Sequence, residues 1–196
     1  MTNQIKQSTD QDLIVLFQQT QSQKAISELV NRYKQNIYTS ILLKVRDKHT
    51  AENIFQETFI KIFQTLLKDQ YKECGKFLPW AIRIANNLCI DYFRKNKKNN
   101  KVSLKDNFDW LDGFRINNEN AATKIEQIET SNQIIQLLDR LPEVQREVIM
   151  LRIYADLSFR EIASITDVGI NTALGRMRYG LSNLKKMIEE HQLILR

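Results

Sequence analysis

The segment that ends at Lys95 combines an aromatic ring, an amide and basic side chains at helical spacing. On a helix, Trp80, Arg83, Asn87 and Arg94 project from one face and Lys95 follows, while the opposite face is apolar. Aromatic rings stack on bases, amides hydrogen-bond base edges, and arginines neutralise phosphates. The pattern therefore fits capture of single-stranded nucleic acid, although a single aromatic residue such as Trp80 more often fills a core.

A second nucleic-acid pattern lies near the C-terminus. Ser158 and Glu161 form a capping box, which predicts a helix start. A break at Asp167–Gly169, where both end residues tolerate left-handed backbone, separates this helix from an amphipathic one in which Ile170 and Leu174 are predicted to pack the corner. Two helices joined in this way make a helix-turn-helix, and an ordinary hairpin with a basic face is the alternative. Its candidate contacts to bases and phosphates are Asn171, Thr172, Arg176, Arg178 and Tyr179.

A third pattern is an acidic and amide face formed by Asn53, Gln56 and Glu57. It lies opposite an apolar stripe on a helix predicted at Thr50–Leu67, with Thr50 as the N-cap. Such a face could dock onto a basic partner helix. Taken by itself, the pattern is better explained by a solvated helix face.

The composition of the 196 residues indicates an all-α protein, because Gly and Pro number only 5 and 2. With 42% apolar residues, the chain can bury real cores. No apolar run of about 18 residues occurs, so no membrane insertion is expected. The N-terminus is polar and the two cysteines form no metal pattern. We therefore expect a soluble, cytoplasmic protein without a metal or cofactor.

Two helical blocks flank an Asn- and Lys-rich stretch. In the first block, helices are predicted at residues 12–19, 24–46 and 50–67, then a loop at 69–78, and a fourth helix from Pro79 to about residue 95. The second block covers about residues 123–194, with Val144 among the residues that line one of its helices. The net charge is +6, and the acid-free basic run from Arg94 to Lys105 fits either a phosphate contact or a solvated linker.

These segments, in this order and spacing, resemble the extracytoplasmic-function (ECF) group of the sigma-70 superfamily. The motifs that carry the resemblance are Ala51–Phe59, Phe77–Arg94, Leu141–Val148 and Leu157–Ala163. The chain departs from the family pattern at Asn53, where Asp is usual, and at Asp167, Asn171, Ala173 and Gly175. These departures leave the class intact, but the last four lie where promoter sequence would be read.

The resemblance implies two small helical domains: a region 2 bundle at 8–97 and a four-helix region 4 domain at 126–190, joined by a flexible linker at 98–125. It implies a transcription initiation factor that binds core RNA polymerase, reads and melts the −10 element with region 2, and reads the −35 element with region 4. The implied partners are the clamp coiled coil of the largest polymerase subunit, the polymerase flap, promoter DNA and an anti-sigma factor.

The resemblance also assigns roles to the three patterns. Asn53, Gln56 and Glu57 would contact polymerase, and the loop at 70–78 would set the preferred −10 base. The −10 element would be contacted by Trp80, Arg83, Asn87, Arg94 and Lys95. The −35 duplex would be contacted by Asn171, Thr172, Arg176, Arg178 and Tyr179.

Three other classes of function were weighed. A stand-alone helix-turn-helix regulator would explain the C-terminal pattern but not the first two segments. An enzyme is disfavoured, because His49 and His191 are isolated and the chain has no Gly-rich phosphate loop. A pure interaction protein would bind core polymerase without supporting promoter-dependent transcription.

Overall fold

The computed structural model describes residues 2–72, 75–98, 134 and 136–190, and every regular element among them is an α-helix. The chain divides into two compact units, Met1–Lys105 and Asp106–Arg196. The prediction of an all-α protein with two helical domains is confirmed. Apart from residue 98, the predicted linker and its aromatic residues lie outside the described residues.

The first unit is built around one long central helix. Within its described residues the helices are α1 (Thr2–Gln7), α2 (Asp10–Thr20), α3 (Gln23–Val45), α4 (Lys48–Leu67) and α5 (Phe77–Lys98). Helix α3 packs against the other four. Its residues Leu29, Ile37, Ile41 and Leu42 are each no more than 1% exposed. Burial of each such side chain stabilises the unit by about 1.5–3 kcal/mol.

Polar side chains fix where the helices of this unit begin. Thr9 and Asp12 form a capping box at α2, and hydrogen bonds from the Thr9 hydroxyl and backbone amide lower the pKa of Asp12. The prediction that Thr50 caps the third long helix is wrong. Asp47 is the N-cap, and its carboxylate accepts a hydrogen bond from the Thr50 backbone amide at 2.8 Å. A carboxylate in extended backbone directly before the first helical residue is a strong N-cap, so α4 begins at Lys48.

Several helices end at a polar residue in left-handed backbone. Among the described residues, the non-glycine positions with φ between 51° and 54° are Gln21, Arg46, Asp69, Asp156 and Asp167. Gln21 and Arg46 are the C-caps of α2 and α3. Their backbone amides donate to the backbone carbonyl oxygens of Phe17 and Leu42, respectively. Left-handed backbone reverses the chain at a helix end, a task that glycine usually performs. In this chain, polar residues rather than glycines adopt the left-handed backbone at these positions.

Arg32 fastens the N-terminal helices to α3. Its guanidinium pairs with Asp10 at 2.9 Å and with Glu28 at 3.1 Å. It also donates to the backbone carbonyl of Lys6 at 2.9 Å and that of Ser8 at 2.8 Å. The charge-assisted bonds to both carboxylates outweigh the effect of burial and raise the pKa of Arg32. Arg32 therefore ties the segment that leads into α2 to the central helix α3.

The second unit contains three described helices, and the last two form a helix-turn-helix. These are α6 (Glu143–Ile153), α7 (Phe159–Ile165) and α8 (Ile170–Glu190), and residues 136–139 before them are also helical. Val148, Ile149 and Ile162 are no more than 1% exposed. Val144, which was predicted to line α6, lies in the first turn of that helix and is 44% exposed, whereas Val148 one turn later is buried.

The predicted helix-turn-helix start and turn are confirmed. Ser158 and Glu161 form a capping box at α7, with both reciprocal bonds present. Asp167 has the left-handed backbone that the tight turn needs, whereas Gly169 does not. Ala163 is 5% exposed, so its small side chain is packed inside the second unit.

The inward face of α8 differs from the predicted one. Ile170 and Leu174, which were expected to pack the corner, are each 43% exposed. The buried residues of α8 are Ala173 and Gly180, which lie one side of that apolar stripe. Small side chains let α8 approach α6 closely, and this close packing turns the bulkier residues outward.

Gly180 marks the closest approach and leads to a prediction. A Cβ atom there would lie 2.7 Å from Cδ1 of Ile149 and 3.3 Å from Cβ of Gln145, whereas a Cβ at Gly175 would meet nothing within 4 Å. Gly180→Ala and Gly175→Ala gain the same helix propensity, about 0.5–1 kcal/mol. We expect Gly175→Ala to be the more stable of the two by about 1–3 kcal/mol, the usual cost of overpacking. Denaturant unfolding of the full chain, followed by circular dichroism, measures this difference, and equal stabilities would contradict it.

Candidate nucleic-acid and protein interfaces

One face of α5 carries most of the side chains predicted to contact single-stranded DNA. Trp80, Arg83, Asn87 and Arg94 share this stripe by helical register, and the last three are exposed. Arg94 forms an ion pair with Asp91 at 3.5 Å that is exposed on both sides. Such a pair contributes little, so the guanidinium remains available to a phosphate. We define these four residues as the α5 stripe.

Trp80 is half-buried and rests on other rings. Its ring stacks on that of Tyr71, with centroids 4.1 Å apart and planes at 30°, and lies 5.7 Å from Phe77. Tyr71 is 8% exposed and Phe77 2%. Phe77 fills the core, whereas Trp80 keeps part of its surface in solvent.

The start of α5 also corrects the sequence analysis. The loop was predicted to continue to residue 78, but α5 begins at Phe77, because the Trp80 amide already donates to the Lys76 carbonyl at 3.1 Å. Pro79 lies in this first turn, where a missing N–H leaves no partner unsatisfied. Trp80 therefore lies within the first turn of α5.

The acidic and amide face of α4 is exposed along its length. Asn53, Gln56 and Glu57 all face solvent, and Glu57 forms an ion pair with Lys61 at 3.7 Å. Ile60, one turn after Gln56, is 54% exposed and adds apolar area at the C-terminal end of the face. Burial and the nearby charge of Glu52 raise the pKa of Tyr38, so this hydroxyl beside α4 stays protonated at neutral pH. We define Asn53, Gln56, Glu57 and Ile60 as the α4 face.

A groove of about 260 Å³ separates α4 from α5. Asn53 and Glu57 line one wall, and Asp91, Tyr92 and Lys95 line the other. The structure thus places Lys95 beside two residues predicted to bind polymerase, rather than on the α5 stripe. A single helix presents one side to the groove and another to solvent.

The N-terminal half of α8 carries the predicted duplex contacts. Asn171, Thr172, Arg178 and Tyr179 are exposed, and Arg176 is half-buried. The guanidinium of Arg178 lies 5.1 Å from the centre of the Tyr179 ring, within the range of a cation–π contact. No acidic residue occurs between Val168 and Met187, so the local charge is positive.

Two further observations bear on the class of protein. Among residues 2–72, 75–98 and 136–190, no group of three or more His, Cys, Asp or Glu side chains could hold a metal ion. In the same part of the chain, no helix has the length and apolar character needed to span a membrane.

Family models match both units. The model described as "Sigma-70 region 2" matches residues 29–99, and "Sigma-70, region 4" matches residues 131–176. The chain is 30% identical over 174 residues to the ECF RNA polymerase sigma factor SigW of Bacillus subtilis, covering 86% of this chain and 91% of SigW. The chain belongs to the ECF RNA polymerase sigma factors.

Two solved structures share the fold. CnrH, in complex with the cytosolic domain of CnrY, matches with a TM-score of 0.64 and 18% identity over 93% of this chain and 99% of that one. The sigma factor RpoE, in complex with the anti-sigma factor NepR from Bartonella quintana, matches with a TM-score of 0.64 and 17% identity over 85% of this chain and 98% of that one.

This ECF sigma factor is a transcription initiation factor that directs RNA polymerase to promoters. The alternative of a stand-alone helix-turn-helix regulator is not favoured, because region 2 matches as well as region 4. The two units that the contacts define each contain one of these matches.

Three residues of these surfaces escaped the sequence analysis. Ile90 is 40% exposed and lies between Asn87 and Arg94 along the same side of α5. Ile60 is 54% exposed and follows Glu57 on the α4 face. Helical register alone could have placed both, but apolar residues are usually assigned to a core. Tyr71 supports Trp80 from a loop, and its spacing in the sequence gave no signal.

Proposed function

We propose that this sigma factor divides its work among three surfaces. The α4 face binds core polymerase, the α5 stripe and Lys95 hold the −10 element, and α8 reads the −35 duplex. The corresponding domains are region 2 at 8–97 and region 4 at 126–190, with a linker at 98–125. The observation that carries the proposal is the α5 stripe, where one partly exposed aromatic ring is followed by an amide and two arginines along a single face.

The α5 stripe suits unpaired DNA better than duplex DNA. Trp80 offers a ring that is already supported by Tyr71, so stacking on a base costs little side-chain entropy. Asn87 can pair with the edge of an extruded base, while Arg83 and Arg94 meet phosphates. Unpairing and unstacking a base costs a few kcal/mol, and these contacts offset that cost.

The α4 face suits a basic protein surface. Glu57 supplies a negative charge, Asn53 and Gln56 supply amides, and Ile60, at the C-terminal end of the face, supplies exposed apolar area. Protein interfaces combine apolar area with polar groups in this way. We assign this face to the clamp coiled coil of the largest polymerase subunit, and we include the polymerase flap as a second contact of the chain.

Region 4 would bind duplex DNA weakly by itself. Asn171 and Thr172 stand at the start of α8, where a recognition helix meets base edges, and Arg176, Arg178 and Tyr179 follow. Two weak DNA sites gain effective affinity when core polymerase holds both on one scaffold. The mechanism is binding without bond chemistry, and it operates in the cytoplasm, where core polymerase and promoters meet.

An anti-sigma factor is a further proposed partner. CnrH and RpoE, which share the fold of this chain, were each solved with another protein, named as an anti-sigma factor in the case of RpoE. A partner that covered the α4 face or the α5 stripe would prevent initiation by exclusion.

Transcription in vitro with purified core polymerase tests the proposal. A library of genomic fragments is transcribed with core alone and with core plus this sigma factor. We expect new start sites that share a sequence at −10 and another at −35. Core binding without any new start site would contradict the proposal and indicate a pure interaction protein. Tight, specific duplex binding without core in a gel shift would instead favour a stand-alone regulator.

Arg178 gives a prediction that concerns the salt dependence of promoter binding. If its guanidinium contacts a phosphate, Arg178→Gln should weaken holoenzyme binding at all promoters alike. The slope of log affinity against log salt should become shallower by about one unit, because each neutralised phosphate contributes about 0.9. Lys185→Gln, an exposed residue further along α8, is the matched control. Loss of affinity at only one −35 sequence would show that Arg178 reads a base instead.

A further inference from the structure

Gln18 of α2 connects the N-terminal part of the chain to the loop that precedes α5. Its side-chain amide Nε2 donates to Oδ1 of Asp69 at 3.1 Å and to the backbone carbonyl of Tyr71 at 3.3 Å. Gln18 is half-buried and lies 51 and 53 residues away in sequence from these two partners. Two bonds from one amide therefore fix this stretch of loop against α2.

The loop residues that Gln18 holds are themselves poised at the α5 stripe. Asp69 has left-handed backbone with φ of 51° and follows Lys68, the C-cap of α4. Two residues later, the Tyr71 ring is 8% exposed and stacks on Trp80 at 4.1 Å. A continuous path of contacts thus runs from the Gln18 amide through the Tyr71 backbone and ring to the Trp80 ring.

We propose that Gln18 is a positioning residue for −10 base capture, and that it acts through Tyr71 on the orientation of Trp80. The inference rests on the proposed function of Trp80. A supported ring loses less freedom when a base stacks on it, so the support lowers the cost of capture. Gln18 lies before residues 29–99, which match region 2, so this contribution comes from outside the matched segment.

A double-mutant cycle tests whether Gln18 acts through Trp80. Gln18→Met keeps the length of the side chain and removes both donated bonds, and Gln19→Met on the exposed side of α2 is the matched control. We expect Gln18→Met to lower the formation of open complexes by about two- to tenfold, the usual effect of losing one or two hydrogen bonds. In a Trp80→Ala background the same substitution should have no further effect, because coupled residues are not additive.

Fluorescence of Trp80 provides a second, independent measurement. The chain has two tryptophans, so a Trp110→Phe background leaves only Trp80 to emit. Gln18→Met should shift this emission to the red and make it more easily quenched by acrylamide, whereas Gln19→Met should change neither. Thermal unfolding of each variant verifies that the chain is folded at the assay temperature.

The outcomes separate this proposal from the proposed function. Equal losses from Gln18→Met in both backgrounds would show that Gln18 only stabilises the unit and would overturn the proposal, as would unchanged open complexes or unchanged emission. If Trp80→Ala itself left open complexes intact, the assigned role of Trp80 would fail, and the proposal would fall with it. The quenching experiment would then still decide whether Gln18 orients the ring.

Discussion

Replacing Glu57 with lysine should weaken binding of this sigma factor to core RNA polymerase by at least about tenfold, because placing like charges together at an interface costs several kcal/mol. The Glu57 side chain is 56% exposed, so the substitution leaves the core of the unit intact. The ion pair with Lys61 that is lost is an exposed helical pair, worth about 0.3–0.5 kcal/mol. Titration of labelled sigma factor with core polymerase measures the effect.

The controls for Glu57 separate local from overall charge. Glu189→Lys makes the same change in net charge at an exposed position of α8 and should leave core affinity unchanged. Glu57→Gln removes the charge without reversing it and should lie between wild type and Glu57→Lys. Where core is supplied in excess, promoter opening by Glu57→Lys should recover. Equal weakening by Glu57→Lys and Glu189→Lys would refute a docking role for the α4 face.

Trp80→Ala should have the opposite profile, with normal core affinity and loss of open complexes. Stacking of one base on an aromatic ring contributes about 1–3 kcal/mol, which corresponds to a loss of about five- to 150-fold. Potassium permanganate footprinting of unpaired thymines at the −10 element measures the open complex directly. A promoter that carries a pre-formed bubble at the same position should reduce the loss, because unpairing then costs nothing.

Stability must be measured alongside, because Trp80 also contributes to the fold. Loss of its stack on Tyr71 costs about 0.5–1.5 kcal/mol beyond the area that is no longer buried. Trp80→Phe retains a ring on Tyr71 and should preserve most of the open complexes, whereas Trp80→Ala should not. If Trp80→Ala and Trp80→Phe each weakened core binding as much as they reduced promoter opening, the assignment of core binding to α4 and of −10 capture to α5 would be wrong.

Much of this fold could be predicted from local sequence, because apolar periodicity and capping residues mark its helices. The period of apolar residues located α3 and α4, and the Ser158–Glu161 capping box located α7 to the residue. The error at Thr50 was also local, because the N-cap of α4 is Asp47, only three residues earlier. Signals of this kind lie within one or two helical turns of the residues they position.

The rest depended on packing between helices, which periodicity does not encode. Ile170 and Leu174 fitted an inward stripe, yet Gly180 allowed α8 to approach α6 on a different side. Helical register turns Lys95 by about 100° from Arg94, but only the packing of α4 against α5 places Asn53 and Glu57 on that side and makes the groove. Gln18 and Tyr71 were joined only by the tertiary fold.

The left-handed residue Asp69 has a consequence for how this chain can vary. A glycine would satisfy the backbone there, but it would remove the oxygen that accepts from Gln18. Among the non-glycine residues, Asp and Asn enter this conformation most readily, although Gln21 and Arg46 adopt it elsewhere in the chain. Position 69 therefore has two requirements: a residue that adopts left-handed backbone, and a side-chain oxygen that accepts a hydrogen bond from Gln18. Few residue types meet both, although Asp69 lies on the surface and touches neither DNA nor polymerase in the proposed scheme.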